Sequence, residues 1–374
     1  MARTKVFIVC SGLGHINRGY ESFFRGCFDA LVSEADLDLT LYKGAGAQAA
    51  HEIRLPNLCR GSRSAKILGK LLGRSDYFAE QLTFFLSLLP RLLARRPDVV
   101  YVSDVVLGNF LRLAQKLPLF SYKVLFNNNG PVLPTLLHRW DHIQQVSPQY
   151  LNDALAAGVP REKQTLLPSA VDIPKSLPPH GDPGALRDAL GLPRDRPIVL
   201  SVGAIDGGRK RMDYLVQEMA KLPVPRPFLL LLGQKTSDSP RIIELGEDLL
   251  SMDGFDARTV AKDEVSDYYR AASIFALASV DEGFGLAYVE AMSYGLPCLV
   301  HDYETSRFVL GDMGTYGDLT QPGTLMELLS DSVRVAAAPS VATARHAGVY
   351  DRFSWDRLTP AYVELFQQCA ASRS

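Results

Sequence analysis

The sequence predicts an α/β protein built from two doubly wound domains, and three observations carry that prediction. At 374 residues the chain exceeds what one ordinary core accommodates. Short apolar runs alternate with helical stretches along its length, the pattern of parallel sheets covered on both faces. The alternation is interrupted at PSAVDIPKSLPPHGDPG (168–184), with five prolines, two glycines and no period, and then restarts. The break separates a first domain over 1–170 from a second over 171–351.

The strands follow in order. KVFIVCSG (5–12) is short, apolar and ended by glycine, and a helical stretch runs from it to about residue 34. LDLTLY (37–42) alternates, with Leu37, Leu39 and Leu41 directed inward. PDVVYVSD (97–104), YKVLFNN (122–128) and HIQQVS (142–147) complete the first set. LTFFLSLLPRLLARR (82–96), interrupted by Pro90 and Arg91, reads as a buried helix with a basic end. Beyond the break, PIVLSVGA (197–204), FLLLLGQ (228–234), IFALASV (274–280) and CLVHD (298–302) repeat the theme. In such folds ligands lie beyond the carboxyl ends of the strands, so a central cleft faced by both domains is the expected site.

Composition excludes several classes. With 47% hydrophobic and 22% charged residues, and no apolar run near the roughly 20 residues a bilayer span needs, the chain reads as globular. The opening MARTKVFIVCSGLGH has an apolar run too short for a secretory signal, and the five scattered cysteines include no CxxC pair. Both suit a reducing cytoplasm. Residues 1–170 hold 20 Lys+Arg against 13 Asp+Glu, and residues 171–374 hold 20 against 28. Part of the basic excess is RLPNLCRGSRSAKILGKLLGR (54–74), which contains no acid. It reads either as a solvated loop and helix or as a surface meeting an anionic membrane or acceptor. No aromatics are interleaved with the bases, which argues against nucleic acid.

Two segments of the second half carry chemistry. DEGFG (281–285) is the turn after a strand, and LAYVEAMSYG (286–295) is a helix closed by Gly295. The amides of Gly285, Leu286 and Ala287 at the helix start form a phosphate seat. Glu282 and Glu290 flank that seat, and carboxylates beside a phosphate suit neutral hydroxyls such as those of a sugar. The bland alternative is one glutamate near a helix start and one in solvent. LSVGAIDGGRKRMDYLV (200–216) again runs strand, glycine-rich turn, helix. Arg209 and Lys210 sit where that helix begins and would stabilise a departing diphosphate; plain surface charge is the alternative.

EGFGLAYVEAMSYGLPCLV (282–300) resembles the E-x7-E signature of retaining glycosyltransferases of family 4, which have the GT-B fold of two Rossmann-like domains facing a central cleft. The likeness covers most of 195–368 well and 1–170 weakly. It implies that Glu282 contacts the donor sugar, that Glu290 binds the nucleotide ribose, and that Gly285, Leu286 and Ala287 hold the diphosphate. It gives Arg209 and Lys210 the leaving group, with Gly203 in the same turn. It also implies a helix over about 352–374 that returns to the first domain. The chain departs from the family where Ala204 follows Gly203 and where Arg211 follows Lys210 in place of glycine. A phosphate contact is then missing, or Arg211 supplies it.

In SGLGHINRGYESF (11–23), Gly12 and Gly14 let backbone approach a ligand, as in the family's glycine-rich loop. GHIN also resembles the loop of inverting GT-B enzymes, so His15 is either a proton-transfer group or a hydrogen-bonded loop histidine. In LFNNNGP (125–131), Asn127 stands near where related enzymes place a sugar-contacting histidine. Asp104 ends a strand and is either an acceptor-side acid or a helix N-cap. DLD (36–38) mimics a metal-binding DxD but reads as the solvated face of an alternating strand, and HRWDH (138–142) has a zinc-like histidine spacing but lacks the glutamate and third ligand of a catalytic site.

The expectation is therefore a cytoplasmic glycosyltransferase of hexosyltransferase type. It would use a nucleotide-sugar as substrate, retain the anomeric configuration, and need no cofactor or metal. Its acceptor would be lipid-linked or otherwise anionic, with peripheral membrane contact as an option. The alternatives are a nucleotide-sugar epimerase using His15 and Asp104, and a non-catalytic binding protein on the same fold.

Overall fold

A computed structural model describes residues 3–16, 18–130, 132–179, 183–334 and 339–372. Asn17, Pro131 and residues 180–182 of the proline-rich break lie outside the described residues. The chain divides into two units, one of Met1–Ala170 with Trp355–Ser374, the other of Val171–Ser354.

The first unit is a seven-stranded parallel sheet. Its strands are β1 (Thr4–Cys10), β2 (Leu37–Lys43), β3 (Glu52–Arg54), β4 (Val99–Val102), β5 (Lys123–Asn128), β6 (His142–Gln145) and β7 (Gln164–Leu166). They lie in the order β3-β2-β1-β4-β5-β6-β7. The helices are α1 (Gly19–Leu31), α2 (Arg63–Leu71), α3 (Asp76–Arg95), α4 (Val105–Gln115) and α5 (Pro148–Ala156). Ser62, Ser75, Asp104 and Ser147 cap α2 to α5 by accepting from first-turn N–H groups. α3 continues through Pro90. It buries Phe84, Leu88 and Leu92 and leaves Leu86 and Leu93 exposed, so it is a half-buried helix.

The second unit is a six-stranded parallel sheet of β8 (Ile198–Val202), β9 (Phe228–Leu232), β10 (Phe255–Arg258), β11 (Ile274–Leu277), β12 (Cys298–His301) and β13 (Gly314–Gly317). The order β10-β9-β8-β11-β12-β13 is that of a Rossmann fold, with its switch point between β8 and β11. Its helices are α6 (Pro183–Ala189), α7 (Met212–Ala220), α8 (Ser239–Leu250), α9 (Val265–Ala271), α10 (Leu286–Ser293), α11 (Glu304–Leu310), α12 (Thr324–Arg334) and α13 (Pro339–Phe353). The central strands are buried on both faces, which is why they read as continuous apolar runs.

The last helix, α14 (Trp355–Ala371), belongs to the first unit. Trp355 stacks on Phe23, and Phe366 meets Tyr101 edge-on. The Tyr362 hydroxyl donates to the Pro168 carbonyl at 2.8 Å and accepts from Gln144 Nε2 at 2.9 Å. Among the described residues, no helix is long and apolar enough to cross a membrane. All five cysteines are free.

Candidate active site

The turn after β8 is braced from several sides. Asp206 Oδ1 accepts from the Lys210 amide at 3.1 Å, its carbonyl accepts from the Met212 amide, and Asp238 accepts from the Gly207 amide at 2.8 Å. Ser279, just past β11, donates from Oγ to the Arg209 carbonyl at 3.0 Å. A Cβ on Gly203 would sit 2.9 Å from Cε of Lys210. The lysine side chain occupies that space and crosses the switch point.

Lys210 ends on the carboxylate predicted 72 residues away, with Nζ 2.5 Å from Glu282 Oε1. Arg209 NH2 lies 3.4 Å from Glu282 Oε2. Glu282 is buried, whereas the Arg209 side chain is 48% exposed and the Lys210 side chain 18%. Burial alone would raise the Glu282 pKa; the charges of Lys210 and then Arg209 outweigh it and hold the carboxyl below its ordinary range. In this three-membered cluster two cations share one carboxylate.

Gly285 is the N-cap of α10 at φ 83°, a left-handed conformation, and a Cβ there would strike the Tyr288 ring at 2.3 Å. The N–H groups of Leu286 and Ala287 have no hydrogen-bond partner among the described residues. Glu290, one turn on, accepts from the Tyr269 hydroxyl at 2.9 Å, and Tyr269 stacks on Tyr294. Burial pushes the Glu290 pKa up against the weaker opposing effects of Tyr269, Lys262 and Lys210. Gly203, Arg209, Lys210, Glu282, Gly285, Leu286, Ala287 and Glu290 thus gather at the switch point and first turn of α10. The positioning residues Ser279 and Tyr269 carry no sequence signal that singles them out.

Arg211 is excluded from the set. Its guanidinium donates to the carbonyls of Ala278 and Leu319 at 3.3 and 2.8 Å and lies over the Tyr214 ring, so it braces the fold and is not available for phosphate.

In the first unit, His15 Nε2 is 2.7 Å from Glu80 Oε1, and Arg60 NH2 is 2.5 Å from Glu80 Oε2. Burial would raise the Glu80 pKa; the hydrogen bonds from His15 and Arg60 lower it further than burial lifts it. His15 Nδ1 is buried without a partner among the described residues. A Cβ on Gly12 would meet Glu21 at 2.5 Å, and one on Gly14, at φ 97°, the Ala45 carbonyl oxygen at 2.2 Å. Asp104 is the N-cap of α4, accepting from the Val106 and Leu107 amides at 2.9 and 3.0 Å and from the Tyr77 hydroxyl. Asn127 is fully buried, its amide nitrogen donating to Tyr101 and Gln144 at 2.9 Å. It belongs to the interior and not to a surface a sugar reaches. Among the described residues, no three His, Cys, Asp or Glu side chains converge as a metal site requires.

Fold and site together define a GT-B architecture, two Rossmann-like α/β units with a cation–carboxylate cluster at the switch point of the second. Residues 184–334, which lie within the second unit, match the family described as "Glycosyl transferases group 1". The chain is 29% identical over 231 residues to D-inositol 3-phosphate glycosyltransferase of Xylanimonas cellulosilytica, covering 58% of this chain and 54% of that protein. It is 33% identical over 207 residues to the protein of that name from Mycobacterium avium, covering 50% and 46%. The chain thus spans about half the length of the curated relatives it matches. Among solved structures, sucrose-phosphate synthase of Thermosynechococcus elongatus superposes at a TM-score of 0.82, with 20% identity, covering 99% of this chain and 100% of that one. Anabaena HepE in complex with UDP and glucose superposes at 0.75, with 15% identity, covering 98% and 100%. These likenesses concern the fold.

Proposed function

We propose that this chain is a retaining glycosyltransferase of family 4 type, moving a hexose from a nucleotide-sugar to an acceptor hydroxyl. The observation that carries it is the union of Lys210 and Arg209 with Glu282 at the switch point, next to a helix start with two open amides. That site is positive, partly exposed and backed by a helix dipole, which suits a diphosphate. Glu282 and Glu290 add acceptors for hydroxyls of the sugar and the ribose.

In the reaction, the acceptor oxygen bonds to the anomeric carbon while the bond from that carbon to the diphosphate oxygen breaks. The electron pair leaves on the diphosphate, and the acceptor proton passes to the departing phosphate oxygen. Arg209, Lys210 and the amides of Leu286 and Ala287 stabilise the growing charge. No protein nucleophile takes part, and in this proposal the cations and helix dipole do the work a metal does elsewhere.

The UDP and glucose held by Anabaena HepE support a donor of this kind, and the relatives' name supports an anionic acceptor such as a polyol phosphate. The free cysteines fit a cytoplasmic location. The epimerase reading has no observation in its favour, because Asp104 caps α4.

The test is a thermal-shift panel of UDP-, GDP-, ADP- and dTDP-sugars on the wild type, Glu290→Ala and Lys210→Ala. One nucleotide should raise the melting temperature of the wild type and lose its effect in both variants. The productive donor should then give product whose anomeric configuration matches it by proton NMR. Unimpaired binding by both variants removes the site assignment; an inverted product removes retention; binding with no turnover on any acceptor leaves a non-catalytic binder.

A further inference from the structure

The helix α2 is amphipathic in the wrong sense for a globular protein. Its small residues face inward: Ala65 and Gly69 are buried, and a Cβ on Gly69 would lie 2.7 Å from the Ser75 backbone. Its large apolar residues face outward. Ile67 is 62% exposed and Leu71, four residues on and on the same face, is 78% exposed, with Leu72 following at the helix end. Arg63, Lys66 and Lys70 flank them, all exposed and with no ion pair among the described residues. Arg60, from the same acid-free segment, is engaged elsewhere, since its guanidinium is bound to Glu80 and lies over the Tyr77 ring.

A folded chain gains by turning leucine and isoleucine inward, so a helix that turns them outward leaves that gain to a partner. A second copy of this face would bring like charges together. A bilayer with anionic headgroups satisfies both halves of the pattern. The apolar pair enters the acyl boundary, and the flexible basic side chains extend along it to the phosphates.

We propose that the outer face of α2 seats the protein on an anionic lipid surface, with Ile67 and Leu71 inserted and Arg63, Lys66 and Lys70 on the headgroups. This does not depend on the reaction proposed above, and its test reads no turnover. The intact chain is sedimented with phosphatidylcholine vesicles, with and without phosphatidylglycerol. The comparison includes Ile67→Ser/Leu71→Ser and Lys66→Glu/Lys70→Glu, whose side chains are exposed, and unchanged melting temperatures serve as the folding control. The wild type should partition onto the anionic vesicles only, less at high salt, and each double variant should lose at least about tenfold in partitioning. Absence of wild-type binding, equal binding to neutral vesicles, or either variant binding like the wild type overturns the proposal. A concentration-dependent dimer abolished by Ile67→Ser/Leu71→Ser, with no vesicle binding, would make a second copy the occupant instead.

Discussion

The turns after β1 and β8 occupy the same place in their sheets, yet they are filled in opposite ways. After β1, the glycine positions are closed by the protein itself, Gly12 by Glu21 and Gly14 by the Ala45 backbone. The carboxylate Glu80 is fully buried with His15 and Arg60 gathered round it. After β8, the space kept open by Gly203 holds the Lys210 side chain. There the buried carboxylate Glu282 anchors two cations, one of which is half in water. Both glycine spaces are thus taken by the protein's own side chains, an acid at Gly12 and a cation at Gly203. What distinguishes the second is a positive charge that the fold leaves only partly neutralised.

The largest expected effect is on that charge. Lys210→Ala should lower the rate of transfer about 10²–10³-fold, the size seen when one group stabilising transition-state charge is removed. Single-turnover kinetics at saturating donor would show it. His15→Ala should lose less than about tenfold, since in the proposed reaction the departing phosphate takes the acceptor proton. A loss at His15 as large as that at Lys210 would erase the distinction between the two turns and favour a proton-transfer role for His15.

Stability sharpens the same contrast. Glu80→Ala should cost about 2 kcal/mol, below the roughly 3–5 kcal/mol for breaking a fully buried pair, because His15 and Arg60 each keep some access to water. Urea unfolding measures it. Glu282→Gln should cost less, since Arg209 already reaches solvent and Lys210 partly so.

The sequence makes the central strands readable and the edges unreadable, for one physical reason. All nine strands read from the sequence correspond to strands of the two sheets. The four strands they miss are β3, β7, β10 and β13, which lie at the sheet edges. These have three or four residues, and FDAR and GTYG contain no apolar run because one side faces no neighbour. The site shows a parallel split. Glu282, Glu290, Arg209 and Lys210 stand out because turn chemistry and charge mark them. Their meeting depends on strand order, which no local pattern encodes. Asp104 as a cap follows from an acid before a helix, whereas the interior place of Asn127 depends on Gln144 and Tyr101, both on neighbouring strands.

The smallest effect separates the two glutamates by the sign of their pH dependence. The Glu282 carboxyl is held below the ordinary value of 4.5, burial being outweighed by Lys210 and Arg209. Its stabilisation is therefore present above the ordinary value and is lost as pH falls through the folded one. Glu290 is raised above 4.5 by burial, against Tyr269 and the more distant lysines. Its charged form is disfavoured in the fold, so stability declines as pH rises from the ordinary value through the raised one. Melting temperatures of the wild type, Glu282→Gln and Glu290→Gln between pH about 3.5 and about 7.5 should cross accordingly. The wild type should gain on Glu282→Gln as pH rises from the acid end and fall behind Glu290→Gln over the range above 4.5. Parallel curves for the two variants would show that Lys210 and Arg209 do not neutralise Glu282 in solution, and the charge difference between the two turns would then rest on Arg209 and Lys210 alone.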